Sequence, residues 1–162
     1  MTVLHDVYIL LGSNLENPGK QLWTASSFIE QKIGNIINRS NIYLTAAWGN
    51  TDQPDFLNQV LHTSTALDAE DCLEALLEIE NLMGRIRTVR NAPRTIDIDI
   101  LFYDNLIVNK PRLTIPHPSI AERMFVLVPL NEIAPEFVHP LLQKSISELV
   151  NICPDELNVS KM

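Results

Sequence analysis

Arg94-Thr95-Ile96-Asp97-Ile98-Asp99-Ile100-Leu101-Phe102-Tyr103 is the stretch from which the fold is read. Ile96, Ile98, Ile100 and Phe102 alternate with Thr95, Asp97, Asp99, Leu101 and Tyr103, which is the period of a half-buried β-strand. The alternation puts Asp97 and Asp99 on one face, with Cα atoms roughly 6.5–7 Å apart at about 3.3 Å per residue. Two bare carboxylates so placed repel each other, and an unpaired charge on a mostly buried strand is costly. Mg²⁺ resolves the conflict, because it takes oxygen ligands and is typically held by one or two carboxylates plus substrate phosphates. The alternative is a pair of solvated aspartates on the open face of an antiparallel sheet.

Immediately upstream, Arg85, Arg87, Arg90 and Arg94 fall within ten residues, with no acidic residue from Asn81 to Ile96. Arg112 and Arg123 follow, so six of the seven arginines lie between positions 85 and 123. The chain as a whole carries a net charge of −8, so this cluster runs against the global field. Arginine's planar fork suits phosphate oxygens, often two at a time. Carboxylates for a metal beside arginines for phosphates are what phosphoryl chemistry uses, since its catalysis is mostly positioning and charge stabilisation. A basic loop with loose surface ion pairs is the bland alternative for the arginines alone.

Working outward, the Asp97–Asp99 strand comes last in a regular series. Val7 to Leu11 reads as a buried first strand ending in Gly12-Ser13-Asn14. Asn17-Pro18 starts a helix, with Asn17 as cap and Pro18 at the first helical position. Its apolar spacing is Leu22, Ala25, Ile29 and Ile33, and Gly34 stops it. Ile36 to Leu44 reads as a second strand, a polar loop spans Trp48 to Pro54, and Phe56 to Thr65 is the third strand. Asp68 caps a second helix with the stripe Leu73, Leu76, Leu77 and Met83, closed by Gly84. Ile96 to Tyr103 is the fourth strand, and Asp104-Asn105 turns into a short strand at Leu106–Val108. Beyond it the chain is Pro-rich, with a short helix near Ile120–Arg123, an apolar run Phe125–Leu130 and a last helix near Ser145–Val150. The order β-α-β-β-α-β predicts an α+β fold with a ferredoxin-like core: an antiparallel sheet, helices packed on it, and a C-terminal elaboration.

Length and composition set the frame. A chain of 162 residues is most simply one domain, with 46% hydrophobic and 20% charged residues. No run of eighteen apolar residues occurs, and the N-terminus lacks the pattern of a secretory leader. Cys72 and Cys153 are too few for a disulfide framework and have no metal-binding spacing, which fits reduced thiols in a cytoplasmic, monomeric protein. The acidic balance argues against nucleic acid as a partner, and nothing points to a membrane.

Several segments taken together resemble the 6-hydroxymethyl-7,8-dihydropterin pyrophosphokinase family. They are Gly12-Ser13-Asn14-Leu15, Asp52-Gln53-Pro54-Asp55-Phe56-Leu57-Asn58, Gly84-Arg85-Ile86-Arg87, Pro93-Arg94-Thr95-Ile96-Asp97-Ile98-Asp99-Ile100-Leu101, and Leu113-Thr114-Ile115-Pro116-His117-Pro118 with Arg123-Met124-Phe125. The similarity spans nearly the whole chain in the family's order, and the long Pro-Arg-x-x-Asp-x-Asp run is its most specific part. The resemblance implies transfer of the β,γ-pyrophosphoryl group of ATP to the pterin's hydroxymethyl oxygen, releasing AMP, in the making of a folate precursor.

It also implies roles. Asp97 and Asp99 would hold two Mg²⁺ ions on the triphosphate of the co-substrate ATP. Arg85 and Arg94 would act at the transition state, and Arg87, Arg112, Arg123 and His117 would contact phosphates. Thr114 and Ile100 would lie near the nucleoside, Ile100 through its backbone. Phe56 and Phe125 would sandwich the flat pterin ring. Asn58, on the same strand face as Phe56, would read the ring's donor–acceptor edge, and Thr45 and Trp48 would add mainly backbone contacts. Without the resemblance, Phe56 and Phe125 read as core residues. Glu80 stands on an apolar helix stripe, either paired with an arginine or lining the site. Where some members carry Trp-Gly before the Pro-Arg, this chain has Asn91-Ala92; Pro118 replaces an aromatic after the histidine, and Thr45-Ala46-Ala47 replaces a Thr-Pro-Pro run. Two other classes compete: a two-metal nucleotidyltransferase on a similar sheet, and a non-catalytic ferredoxin-like module that binds a small ligand.

Overall fold

The computed structural model describes residues 2–15, 17–46, 54–84 and 96–162. Its centre is β1 (His5–Ser13), buried from Val7 onward because both faces of the sheet are covered. A strand covered on both faces reads as a continuous apolar run, as Val7 to Leu11 does. β1 pairs antiparallel with β4 (Phe56–Thr65) on one side and with β5 (Asp97–Tyr103) on the other. β2 (Ile36–Arg39) and β3 (Tyr43–Thr45) both pair with β4, and β8 (Val159–Lys161) adds to β3. The sheet order is β5-β1-β4-β3-β8, with β2 also on β4. A small separate ladder joins β6 (Val108–Asn109) to β7 (Thr114–Ile115).

Among the described residues four α-helices cover the sheet. α1 (Pro18–Lys32) begins as its sequence dictates: the Asn17 side chain accepts from the Lys20 N–H at 3.4 Å, and Pro18 takes the first turn. It ends where the backbone runs against β4, since a Cβ on Gly34 would lie 1.8 Å from the Ser64 carbonyl oxygen. α2 (Ala69–Leu82) is capped by Asp68, which accepts from the Asp71 N–H at 2.8 Å. Its deepest residues are Cys72, Leu76 and Ile79, with Leu73 and Met83 packed at the margin. These two helices and Val7, Ile9, Leu11, Leu61, Ile98 and Ile100 form one apolar layer. On the other face α3 (Met124–Ile133) and α4 (Ile146–Ile152) pack on Tyr8, Leu10, Val60, Leu101 and Phe102. The protein is therefore mixed α+β with an antiparallel sheet between two helical layers.

Three expectations need correction. Phe102 does not share the face of Ile100: the β1–β5 register passes from Ile9↔Ile100 to Tyr8↔Phe102, so Leu101 is an extra residue on β5. This β-bulge shifts the period, sending Leu101 and Phe102 together to the α3–α4 face and Tyr103 to the other. The second strand, expected over 36–44, is two strands. It is broken at Ser40 and Asn41, whose polar groups are taken by Val60, Gln59 and Glu132. The short strand expected at 106–108 is Val108–Asn109, while the apolar run Phe125–Leu130 is the body of α3.

Candidate active site

Strand pairing brings the expected residues into one row. Gly12 of β1 lies opposite Asn58 of β4 on one side and Asp97 of β5 on the other. The next row toward the start of β1 is Val60, Leu10 and Asp99. At about 4.7–4.9 Å between strands, Asn58 and Asp97 stand roughly 10 Å apart with only a hydrogen of Gly12 between them. A Cβ there would come within 2.9 Å of the Asn58 Oδ1. Gly12 thus leaves the floor open for something flat to lie across the row.

Around this floor is a cleft with about 720 Å³ of empty space, mouth included. Leu10 and Gly12 of β1, Phe56 and Asn58 of β4, and Asp97, Asp99 and Leu101 of β5 line its base. Thr45, Ala46, His117, Ser119, Arg123, Phe125 and Val126 complete its lining. Asn58 is 3% exposed and Thr45 2%, and the Asn58 Nδ2 donates to the Thr45 Oγ1 at 2.9 Å. That bond fixes which way the amide points, so Thr45 contributes its hydroxyl as well as its backbone. The start of β4 is fixed in turn by Asn14, whose Nδ2 donates to the Pro54 carbonyl at 2.9 Å.

His117 is placed by the bulge. Its backbone N–H donates to the carbonyl of Leu101 at 3.0 Å. The Ser119 N–H donates to His117 Nδ1 at 3.1 Å, so the neutral ring carries its proton on Nε2 and is a donor there. Burial, and then the neighbouring Arg123 cation, hold its pKa below the usual 6.5, partly offset by Asp97. A neutral imidazole beside a guanidinium suits an anionic ligand, which would be hydrogen-bonded rather than only charge-paired. The Arg123 guanidinium carbon lies 5.8 Å from the centre of the Phe125 ring, within reach of a cation–π contact.

The remaining expected residues fall in three groups. Arg85, Arg87, Arg94 and Trp48 lie outside the described residues. Arg112 and Thr114 are exposed and do not line the cleft; Arg112 pairs with Glu74 of α2. Ile100 turns its side chain into the α1–α2 layer, leaving its backbone as the only part that a ligand could meet. Sequence reasoning named no role for Gly12, Ala46, Leu101, Ser119 or Val126. Gly12 was visible as part of a turn motif, but its position between Asn58 and Asp97 depends on the register of three strands. Leu101 follows Asp97 and Asp99 on the period-two face and so reaches the cleft, but an apolar residue there reads as core from the sequence. Glu80 is 1% exposed, and its Oε2 accepts from the Ile98 N–H at 2.9 Å.

Known proteins resemble this chain over most of its length. Residues 8–135 match the model of the 7,8-dihydro-6-hydroxymethylpterin-pyrophosphokinase (HPPK) family. The 2-amino-4-hydroxy-6-hydroxymethyldihydropteridine pyrophosphokinase of Haemophilus influenzae is 44% identical over 144 residues, 88% of this chain and 89% of that protein. Its namesake from Pseudomonas aeruginosa is 37% identical over 155 residues, 95% of each. The fold matches the Plasmodium falciparum HPPK-DHPS structure with pterin and p-hydroxybenzoate at a TM-score of 0.76 and 18% identity, covering 93% of this chain and 43% of that longer one. The chain belongs to the HPPK family.

Proposed function

We propose that this chain transfers the β,γ-pyrophosphoryl group of ATP to the hydroxymethyl oxygen of 6-hydroxymethyl-7,8-dihydropterin, releasing AMP, in folate biosynthesis. The observation that carries the reading is the row Asn58–Gly12–Asp97. It sets an oriented amide, able to donate and accept at a heterocycle edge, one sheet width from a carboxylate pair, with Phe56 and Phe125 on the same cleft. A pterin read by Asn58 would point its hydroxymethyl group toward Asp97 and Asp99. That oxygen forms a bond to the β-phosphorus, the bridge oxygen to the α-phosphate leaves with AMP, and the hydroxyl proton is lost.

Asp97 and Asp99 fit Mg²⁺. Among the described residues no group of three or more His, Cys, Asp or Glu stands together as a metal site; two carboxylates are what Mg²⁺ takes when a substrate's phosphates supply its other oxygens. Mg²⁺, when bound there, supplies neutralisation of triphosphate charge, and two ions are expected. His117 and Arg123, on the same cleft, bind phosphate oxygens. In this reading Arg85, Arg87, Arg94 and Arg112 complete the phosphate contacts, with Arg85 and Arg94 acting on charge that develops in the transition state. Ile100 and Thr114 meet the nucleoside, and Trp48 adds to the pterin side.

The strand order β5-β1-β4-β3, with α1 and α2 on one face, supports a ferredoxin-like description of the core, elaborated by α3, α4 and β8. The reading extends to one domain over residues 1–162, acting as a monomer. It places the protein in the cytoplasm, where Cys72 and Cys153, both free, stay reduced. None of the helices among the described residues is long and apolar enough to cross a membrane.

The test is a product assay with ATP, Mg²⁺ and hydroxymethyl-dihydropterin. AMP and the pterin diphosphate are the expected products. Release of pyrophosphate would instead mean attack on the α-phosphate, as in a nucleotidyltransferase. Binding without turnover would mean a ligand-binding module.

A further inference from the structure

α3 has no local cap. Arg123 occupies the N-cap position in extended backbone, and its side chain makes no capping bond. The cap comes from residue 155: the Asp155 Oδ2 accepts from the Met124 N–H at 2.9 Å, and its Oδ1 accepts from the Leu157 N–H at 2.9 Å. One carboxylate thus joins the first turn of α3 to the segment that leaves α4. Four residues further on, that segment becomes β8, with Val159 opposite Thr45 and Lys161 opposite Tyr43. The Met162 N–H continues the ladder onto the Ile42 carbonyl at 2.9 Å. The far end of α3 is tied separately, because Glu132 accepts from the Tyr43 hydroxyl at 2.5 Å and from the Asn41 backbone. The segment 155–162 therefore links the helix start that carries Arg123 and Phe125 to the strand that carries Thr45.

We propose that Asp155 is a positioning residue for the aromatic wall of the pterin slot: by holding the Met124 N–H it sets where α3 begins, and so where Phe125 stands against Phe56 and Asn58. This rests on the pterin reading given above. Phe125 is one residue past the capped N–H and has only two side-chain torsions, so a displaced first turn carries its ring away. Arg123, on a long flexible stem, can keep its guanidinium in place while its backbone shifts. Loss of the cap is therefore expected to weaken the pterin more than the nucleotide. A purely structural role would lower thermal stability and leave the ratio of the two affinities unchanged.

The experiment uses the full chain and three proteins: wild type, Asp155→Ala and Asp155→Asn. Dissociation constants for hydroxymethyl-dihydropterin and for a non-hydrolysable ATP analogue with Mg²⁺ are measured separately, followed by KM and kcat. In Asp155→Ala the pterin dissociation constant rises about tenfold, as expected for loss of a helix cap. The ATP-analogue constant changes less than about threefold, and kcat at saturating pterin is largely kept. Asp155→Asn keeps one acceptor oxygen, enough for the Met124 N–H though not for that of Leu157 as well, and returns the pterin constant part of the way toward wild type. If Asp155→Ala does not fold, Asp155→Glu takes its place. It keeps the charge on an arm one methylene longer, and the same selective loss of pterin affinity is expected. Equal weakening of both ligands, or a lower Tm with both affinities intact, overturns the proposal. A wild-type protein that binds no pterin overturns the functional reading instead, so the two failures are told apart.

Discussion

The buried carboxylate of Glu80 accepts a hydrogen bond from the backbone N–H of Ile98 at 2.9 Å, tying α2 to the peptide unit between Asp97 and Asp99. A carboxylate on an apolar helix face is costly unless bonded; here it satisfies a buried backbone donor of the strand that carries the aspartates. Glu80→Ala leaves that N–H without its acceptor, a loss of roughly 1–3 kcal/mol, or about 2–4 °C in Tm per kcal/mol for a chain of this size. Glu80→Gln keeps an oxygen at the same reach and should recover most of the Tm. Thermal unfolding of both variants decides this, and equal Tm for Ala and Gln would show that the Ile98 bond contributes nothing.

Asp97 and Asp99 face the cleft on alternate positions of β5 and are half-buried. Replacing either by Asn keeps its volume and removes a charge, so the fold survives while turnover falls by several orders of magnitude at saturating Mg²⁺. Near-normal turnover in Asp97→Asn would remove that residue from the metal site.

Gly12 and Asn58 make a paired prediction. A methyl group on Gly12 meets the Asn58 Oδ1 at 2.9 Å, and that amide is already held by Thr45. Gly12→Ala should therefore displace the amide and weaken pterin binding much as Asn58→Ala does, where a buried ring edge loses its partner. The effects should not add in the double variant, because both act on the same amide. Nucleotide binding, measured with an ATP analogue, should stay near wild type. Additive losses would mean that Gly12 acts by another route.

How far the sequence led depends on where each signal resides. β1, α1, β4, α2 and β5 carry their own periods and caps, so Asn17-Pro18 and Asp68 mark helix starts that the structure keeps. α3 was legible only as an apolar run because its cap, Asp155, lies 31 residues away from Met124. β8 has three residues and exists through pairing with β3. Period-two counting puts Phe102 on the wrong face, because the bulge at Leu101 is set by register with β1, which the sequence alone does not contain. The site divides the same way. Asp97, Asp99, Phe56 and Asn58 show their shared faces in the sequence, whereas the place of Gly12 between them appears only once three strands are aligned.

His139 gives a pH prediction away from the cleft. It is 5% exposed, packs edge-on against Phe102 at 5.5 Å, and accepts at Nδ1 from the N–H groups of Leu141 and Leu142 at 3.2 and 3.1 Å. Burial holds its pKa below the usual 6.5, and the structure agrees, since a proton on Nδ1 would displace two donors. Above about pH 6.5 the ring is neutral in both the folded and unfolded chain, so it adds no pH dependence there. As pH falls through 6.5 the unfolded chain takes up the proton first, while the folded chain resists it. The unfolded state then binds more protons, and stability falls with falling pH. His139→Asn keeps an acceptor that can serve the same two N–H groups and does not titrate. Its Tm should therefore decline less than that of wild type between pH 6.5 and about 5, with His117, shifted the same way, accounting for part of the remaining slope. Parallel Tm curves for the two proteins over that range would show that His139 is not a source of the acid sensitivity.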